Sequence, residues 1–270
     1  MEYVVIKCGG SIMEKMPPAL FENIVSLAKS GQWSPILVHG GGPLITSMLE
    51  KLKIESRFVG GLRVTSNEVL DVVEMALSGI ANKQIVRKIA LAGGKAIGIS
   101  GTDGGLLTAK PAGTSDVLGF VGDVTDVNTS VLTHLIGGGY IPVVSPIGCD
   151  QQGQRYNING DTAAAAIASA LGGKLCFISD IPGILIDKNG GEKSKLDTAT
   201  KSDIDEMIAS GQIWGGMIPK VRSALNALLA GVGETVIING LEPGSLLAYC
   251  KGENAGTKIV LEKEAIHGIQ

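Results

Sequence analysis

The amino-acid sequence predicts an α/β protein built around a largely parallel sheet. A short β-branched run at 3–8 ends in glycines and leads into helical apolar spacing over 17–30, and a second run at 34–38 does the same before a helix at 43–52. A strand that enters a helix through a glycine turn is the repeating unit of parallel sheets. The 270 residues suffice for one large domain or two unequal lobes.

The rest of the chain continues this alternation. An extended hairpin at 58–64 precedes one long helix, or two, over 66–91. We expect further strands at 96–100, 108–110, 121–124, 141–145, 175–179, 184–186, 235–238 and 257–261, the second and third of them antiparallel. Further helices are expected at 128–136, from 161 to 171, at 202–210, from the glycine pair at 215–216 to 230, and at 245–249. A division into lobes at 1–172 and 173–270 is predicted from the second set of βα units.

Composition excludes several classes of protein. The net charge of −3 and the 4% aromatic content provide neither a basic field nor stacking platforms for nucleic acid, so no nucleic-acid partner is expected. The start of the chain lacks the basic and apolar regions of a signal peptide, and the longest uncharged helical stretch, 162–173, is too short to cross a bilayer. A cytoplasmic protein with no membrane partner is expected.

Several reactive residue types have structural explanations. The four cysteines lack metal-ligand spacing and are predicted to be free thiols, namely Cys8, Cys149, Cys176 and Cys250. Two acidic groups are expected on solvated helix faces, namely Glu68, Asp71 and Glu74, and Asp203, Asp205 and Glu206. No G-x-x-x-x-G-K-[ST] or G-x-G-x-x-G motif occurs, so any nucleotide is held by other means.

Glycine turns follow the first two predicted strands. The segment 7–11 (Lys-Cys-Gly-Gly-Ser) joins a cation to backbone that an anion can approach. The segment 39–42 (His-Gly-Gly-Gly) precedes a helix N-terminus. Either segment alone is compatible with a plain turn, but both lie at the sheet edge where parallel sheets bind ligands. His39 is expected to be a structural hydrogen-bond partner rather than a base.

Five further polar residues are candidates for ligand binding. Arg63 lies in an apolar, glycine-flanked segment and suits a forked pair with a carboxylate, although a surface arginine fits equally well. Asn157, Asn159 and Asp161 alternate before a helix, so all three side chains could project to one side. Asp161 alone could be an N-cap, but the two asparagines favour a binding role. Lys220 near a helix N-terminus opposes the helix dipole, which is typical of a functional site.

Taken together, these motifs resemble the amino acid kinase family. The resemblance spans essentially the whole chain and rests on the segments 7–11, 39–42, 61–65, 157–161 and 215–220 in the family's order. It implies a three-layer αβα sandwich with a mostly parallel central sheet. It also implies transfer of the γ-phosphoryl group of ATP to the side-chain carboxylate of N-acetyl-L-glutamate, an arginine-biosynthetic step that yields an acyl phosphate.

The resemblance further assigns roles to individual residues. Lys7 and Lys220 are expected to neutralise the transferring phosphoryl group, with Asp161 holding both ammonium groups. The N-terminal lobe is expected to bind acetylglutamate through Gly41, Gly42, Arg63, Asn157 and Asn159. The C-terminal lobe, with the first glycine turn, is expected to bind ATP through Gly9, Gly10, Ser11, Asp180, Ile181, Pro182, Gly183, Ile184, Leu185, Ile213, Trp214 and Gly215. No metal ligands are expected from the protein, because Mg²⁺ is expected to arrive with ATP.

Two alternatives stay open at this point. An N-acetyl-L-aminoadipate kinase of lysine biosynthesis would have similar motifs, because one methylene changes specificity by only about 1–3 kcal/mol. A non-catalytic effector-binding protein of the same fold is disfavoured by the presence of Lys7, Lys220 and Asp161. The resemblance also implies a homodimer, with 66–91 as its expected interface. Arginine inhibition is not expected, because only two residues precede the first predicted strand and arginine-sensitive relatives carry an extra helix there.

Overall fold

The protein is an α/β sandwich in the computed structural model, which describes residues 1–10, 12–113, 115–188 and 192–261. Its strands are β1 (Glu2–Cys8), β2 (Trp33–His39), β3 (Phe58–Val59), β4 (Leu62–Arg63), β5 (Ala96–Ser100), β6 (Leu107–Pro111), β7 (Val121–Val127), β8 (Ile141–Ser145), β9 (Ile147–Cys149), β10 (Arg155–Ile158), β11 (Lys174–Ser179), β12 (Leu185–Lys188), β13 (Glu192–Lys195), β14 (Thr198–Thr200), β15 (Glu234–Asn239) and β16 (Thr257–Val260). Its α-helices are α1 (Pro18–Lys29), α2 (Gly42–Leu52), α3 (Asn67–Glu74), α4 (Asn82–Leu91), α5 (Ser115–Leu118), α6 (Thr129–Gly137), α7 (Gly160–Ala170), α8 (Lys201–Ala209), α9 (Met217–Leu229) and α10 (Ser245–Cys250). A π-helical segment (Met75–Ala81) joins α3 to α4, and a short 3₁₀ turn spans Asp103–Gly105.

Eight strands form the central sheet, in the order β14-β16-β15-β11-β1-β2-β8-β5. Neighbouring strands from β15 to β5 are all parallel, whereas β16 pairs with β15 in the antiparallel sense. The glycine turns after β1 and β2 therefore lie side by side at the carboxyl edge of the sheet, which is where parallel sheets bind ligands.

Helices cover both faces of this sheet. Along β1, Val5 packs among buried residues of α7 and α9 on one face, while Val4 and Ile6 pack with α1 and α4 on the other. Alternate side chains of a strand point to opposite faces, so a strand buried on both sides has a continuous apolar sequence. The predicted three-layer αβα architecture is confirmed.

A smaller substructure lies beside the sheet at its carboxyl edge. Strands β10, β7, β6 and β9 close into a four-stranded barrel. Helices α2 and α3 and the π-helical segment share a third apolar cluster, which includes Leu49, Val73 and Leu77. Arg63, on the β3–β4 hairpin, contacts the second glycine turn, and Asn157, on β10, bonds to Thr65 next to that hairpin.

Most of the predicted elements are confirmed, but β9, β13 and α5 were not predicted, and the structure differs in further respects. The region 66–91 is one continuous helical rod whose middle is π-helical, which the apolar spacing did not indicate. The extended piece after β11 belongs to a separate β12–β13 hairpin, and β14 was not predicted. None of the helices in the described ranges is long and apolar enough to cross a membrane.

Candidate active site

The two glycine turns contact each other. The backbone N–H of Gly40 donates to the carbonyl of Cys8 at 3.0 Å. A Cβ atom on Gly10 would lie 2.8 Å from the backbone nitrogen of Gly42 and 2.9 Å from that of Gly41. Only glycine at position 10 therefore allows this approach, which gathers backbone amides at the carboxyl ends of β1 and β2. Such a concentration of N–H groups is suited to binding an anion.

Lys7 and Asp161 form an ion pair beside these turns. Lys7 Nζ lies 2.5 Å from Asp161 Oδ1, and the two side chains are 18% and 24% exposed. The second carboxylate oxygen of Asp161 accepts from Ser223 Oγ at 2.8 Å. The N-cap of α7 is Asn159, whose Oδ1 accepts from the backbone nitrogens of Asp161 and Thr162. Asp161 is thus held from α9 and left free to face Lys7, rather than capping its own helix.

Lys220 reaches the same cleft from the first turn of α9. Its Nζ donates to Ser179 Oγ at 2.8 Å and to Asp180 Oδ1 at 3.1 Å, both at the end of β11. The hydrogen bond from Lys220 lowers the pKa of Asp180 below its usual value. Lys7, Asp161, Asp180 and Lys220 line one cleft. The expectation that Asp161 holds both ammonium groups differs from the structure, where Lys220 pairs with Asp180.

Arg63 is buried next to the second glycine turn, with only 7% of its surface exposed. Its Nη2 donates to the carbonyl of Gly42 at 3.2 Å and to Thr46 Oγ1 at 2.8 Å. Its guanidinium carbon lies 4.6 Å from the centre of the Phe58 ring. Burial lowers the pKa of Arg63, but the pKa of a guanidinium is ordinarily so far above neutral that the side chain stays charged. The surface-arginine alternative is therefore wrong.

Asn157 is linked to Arg63 through Thr65. Its Nδ2 donates to Thr65 Oγ1 at 3.1 Å, and that hydroxyl donates to the carbonyl of Arg63 at 2.8 Å. Hydrogen bonds therefore connect Asn157 through Thr65 to Arg63, and Arg63 to the backbone of Gly42. Asn159 lies on the neighbouring turn, where its side-chain oxygen Oδ1 caps the N-terminus of α7.

One ion-pair cluster joins two of the acidic side chains on α3 to β10. Arg155 Nη2 donates to Asp71 Oδ1 at 2.9 Å, and its Nη1 donates to Glu74 Oε2. The solvated helix face expected for these carboxylates holds for Asp71, which is 61% exposed, whereas Glu74 is half-buried at 32%. Both carboxylates also tie α3 to β10, two residues from Asn157. The sequence offers no local signal for this cluster, because the partners lie more than 80 residues apart.

Of the predicted nucleotide segments 180–185 and 213–215, Asp180 lines the cleft together with Lys220. Asp180 contacts Lys220, and Ile184 is 1% exposed with its N–H bonded to Thr257 Oγ1 at 2.8 Å. Ile213 is buried in the core, whereas Trp214 is 73% exposed just before α9. Ser11, also expected to bind ATP, lies outside the described residues.

No cluster of three or more His, Cys, Asp or Glu side chains suited to a metal occurs within the described part of the chain. All four cysteines are free thiols, as predicted.

A parallel sheet whose carboxyl edge carries glycine-turn amides and two cationic side chains defines an α/β enzyme that handles anionic small molecules. The model of the amino acid kinase family matches residues 2–239. The chain belongs to the amino acid kinase family.

Named relatives are similar over nearly the full length. The chain is 46% identical over 267 residues to the acetylglutamate kinase of Oceanobacillus iheyensis, which covers 99% of this chain and 100% of that protein. It is 49% identical over 238 residues to the acetylglutamate kinase of Geobacillus kaustophilus, which covers 88% of this chain and 90% of that protein. A solved protein of Streptococcus mutans matches with a TM-score of 0.79 at 30% identity, covering 96% of this chain and 98% of that one.

Proposed function

We propose that the protein transfers the γ-phosphoryl group of ATP to the side-chain carboxylate of N-acetyl-L-glutamate, giving ADP and an acyl phosphate in arginine biosynthesis. The observation that carries this proposal is that Lys7 and Lys220 line one cleft at the carboxyl edge of the sheet, beside the backbone amides of the two glycine turns. The full-length similarity to acetylglutamate kinases supports the choice of acceptor.

The chemistry requires positioning and charge neutralisation rather than a base. A carboxylate is already ionised at pH 7, so the main obstacle is its approach to the polyanionic end of ATP. Lys7, held at 2.5 Å by Asp161, stands at the end of β1. Lys220 enters from α9 on the other side of the cleft, where it would leave Asp180 to meet the phosphoryl group. The Gly10, Gly41 and Gly42 amides would bind the developing charge on oxygen.

The acceptor is assigned to the pocket of Arg63 and Asn157. A buried, charged guanidinium favours the α-carboxylate, which does not react, because a desolvated forked pair is strong and directional. The amide of Asn157 adds a donor beside it, and Asn159 lies on the adjacent turn. The acceptor is thereby proposed to bind within residues 1–172.

The nucleotide is assigned to the lobe formed by residues 173–270, against the segments 180–185 and 213–215. Mg²⁺ bound with ATP would lower the charge that the attacking carboxylate meets. The two carboxylates of the cleft, Asp161 and Asp180, are each paired with a lysine. We therefore infer that Mg²⁺ enters with ATP and keeps several waters.

We also propose a homodimer formed through the helical rod of α3, the π-helical segment and α4. Met75 and Ile80 are 51% and 41% exposed on this rod, although both are large and apolar. Exposed apolar side chains on a helix are suited to contact with a second copy of the chain. Light scattering measures this directly, and a monomeric mass would contradict the proposal.

Hydroxylamine trapping tests the reaction itself. Acyl phosphates react with hydroxylamine to give hydroxamates, so the protein is incubated with ATP, Mg²⁺ and either acetylglutamate or acetylaminoadipate. We expect kcat/KM for acetylglutamate to exceed that for acetylaminoadipate by at least about tenfold, the discrimination expected for one methylene. Equal or reversed values would contradict the choice of substrate.

A further inference from the structure

His39 is fully buried at the end of β2, immediately before the glycine turn. Burial lowers the pKa of the imidazole to about 4, so the ring is neutral at pH 7. A neutral imidazole has one N–H donor and one acceptor nitrogen. Its two partners in the structure therefore decide where the proton lies.

Both partners assign the same tautomer. Nδ1 of His39 lies 3.0 Å from the carbonyl oxygen of Gly40, which only accepts, so Nδ1 carries the hydrogen. Nε2 lies 3.2 Å from Asn82 Nδ2, which only donates, so Nε2 is the acceptor.

The orientation of the Asn82 amide is fixed independently. Its Nδ2 also lies 2.8 Å from the carbonyl of Val143 and 3.3 Å from that of Ile99, on β8 and β5. Its Oδ1 accepts from Lys83 Nζ at 3.0 Å. Asn82 is completely buried, and a Cβ atom on Gly98 would lie 1.8 Å from its Oδ1, so the sheet leaves space for this side chain.

The peptide that joins Gly40 to Gly41 transmits this arrangement to the site. The bond is trans, as are all those in the described residues, so its C=O and N–H point in opposite directions. Holding the Gly40 carbonyl on His39 therefore aims the N–H of Gly41 away from the imidazole. The Gly41 nitrogen lies on the side of Gly10, where a Cβ would approach it to 2.9 Å.

The helical rod adds a steric constraint to the same turn. A Cβ on Gly41 would meet Leu77 Cδ2 at 2.6 Å, and Ser78 Oγ lies 2.8 Å from Ser145 Oγ on β8. Both residues belong to the π-helical segment that ends one residue before Asn82. Single π-helical turns inside helices are frequent at functional sites.

We propose that His39 and Asn82 are positioning residues that orient the Gly40–Gly41 peptide and so aim the Gly41 N–H at the oxygen whose charge develops during phosphoryl transfer. The inference rests on the proposed function, because it assigns that N–H a task in the same reaction. Neither side chain contacts the reactants; both act through the backbone.

Two substitutions test the two ring nitrogens of His39 separately. An asparagine overlays the Cβ, Cγ and Nδ1 positions of histidine, so His39→Asn keeps a donor for the Gly40 carbonyl. A glutamine places its amide near Nε2, so His39→Gln keeps a partner for Asn82 and loses that donor. We expect His39→Gln to lower kcat by about 10- to 100-fold with KM for ATP within about twofold, because small misplacement of a charge-stabilising donor is costly. His39→Asn should retain kcat within about fivefold.

The control is Ser34→Ala, a buried side chain on the same strand. It should leave kcat unchanged. Equal kcat values for the two His39 variants, at comparable melting temperatures, would overturn the proposal. Failure of wild-type protein to give any hydroxamate would instead refute the proposed function.

A spectroscopic measurement needs no His39 variant. The sequence has three histidines, so His134→Gln with His267→Gln leaves His39 alone for ¹⁵N observation of the ring. We expect a neutral ring with the hydrogen on Nδ1 at pH 7. A hydrogen on Nε2, or a charged ring, would overturn the proposal whether or not the variants fold.

Discussion

Replacing Lys7 with alanine is expected to lower kcat by about 10²- to 10³-fold. The ammonium group lies 2.5 Å from Asp161 Oδ1, and a Cβ on Gly9 would lie 3.8 Å from it, so it stands among the glycine backbone of the first turn. Removing one preorganised group that stabilises transition-state charge raises the barrier by about 3–4 kcal/mol, and each 1.36 kcal/mol is tenfold in rate. The KM for acetylglutamate should change little, because Lys7 is assigned to the transferring group.

The stability cost of this substitution should be small. Both partners are partly exposed, and ion pairs of this kind contribute about 0–1 kcal/mol. Lys174→Ala is the matched control, because Lys174 lies at the opposite end of the neighbouring strand β11 and pairs with Glu2 at 3.2 Å. The assay is steady-state hydroxamate formation together with a thermal melt. An unchanged kcat in folded Lys7→Ala, or the same loss of kcat in Lys174→Ala, would contradict the assignment of Lys7 to the transferring phosphoryl group.

Four further results are expected. Arg63→Lys should raise the KM for acetylglutamate at least tenfold with kcat within about threefold, because lysine loses the forked geometry; a kcat loss at unchanged KM would contradict the carboxylate assignment. Gly10→Ala should abolish most activity, since its Cβ would lie 2.8 Å from the backbone of Gly42, whereas Gly137→Ala, where a Cβ meets nothing within 4 Å, should be silent in the same assay. Ser223→Ala should lower kcat about three- to tenfold through loss of its hydrogen bond to Asp161, and Ser223→Thr should restore part of it; Ser169→Ala, which removes a bond to the Ala230 carbonyl, is the control. The free energy of unfolding should fall as pH drops from about 6.5 to about 4, by up to ~1.4 kcal/mol per pH unit, because the unfolded chain binds a proton on His39 that the folded protein excludes. Denaturant titrations of the wild type and of His39→Asn at several pH values measure this dependence. The same change of unfolding free energy with pH in both proteins would contradict it.

The sequence predicted those parts of the fold and site that depend on residues close together in the chain. Glycine turns after β-branched runs predicted the sheet edge, and a lysine at a helix N-terminus predicted Lys220 as a site residue because it opposes the helix dipole. These signals are local, since a strand, its turn and the following helix are consecutive in the chain.

What the sequence did not predict depends on contacts between distant segments. The pairing of Lys220 with Asp180, and that of Arg155 with Asp71 and Glu74, are choices among several carboxylates that only the folded chain brings within reach. Asn82 resembles any helix-surface residue until β2, β5 and β8 are assembled beneath it. Gly98 makes room for Asn82 because it has no side chain, but this role can be recognised only once the folded structure shows the two residues in contact.

The proposed reaction requires that the side-chain carboxylate of acetylglutamate attack the γ-phosphorus of ATP directly within this site. Acetylglutamate labelled with ¹⁸O in that carboxylate tests it, by ³¹P NMR of the acyl phosphate product. We predict that the product's phosphorus resonance carries the isotope shift of an ¹⁸O in the bridge between carbon and phosphorus. An unshifted resonance, or ADP formed without any acyl phosphate signal, would contradict the account.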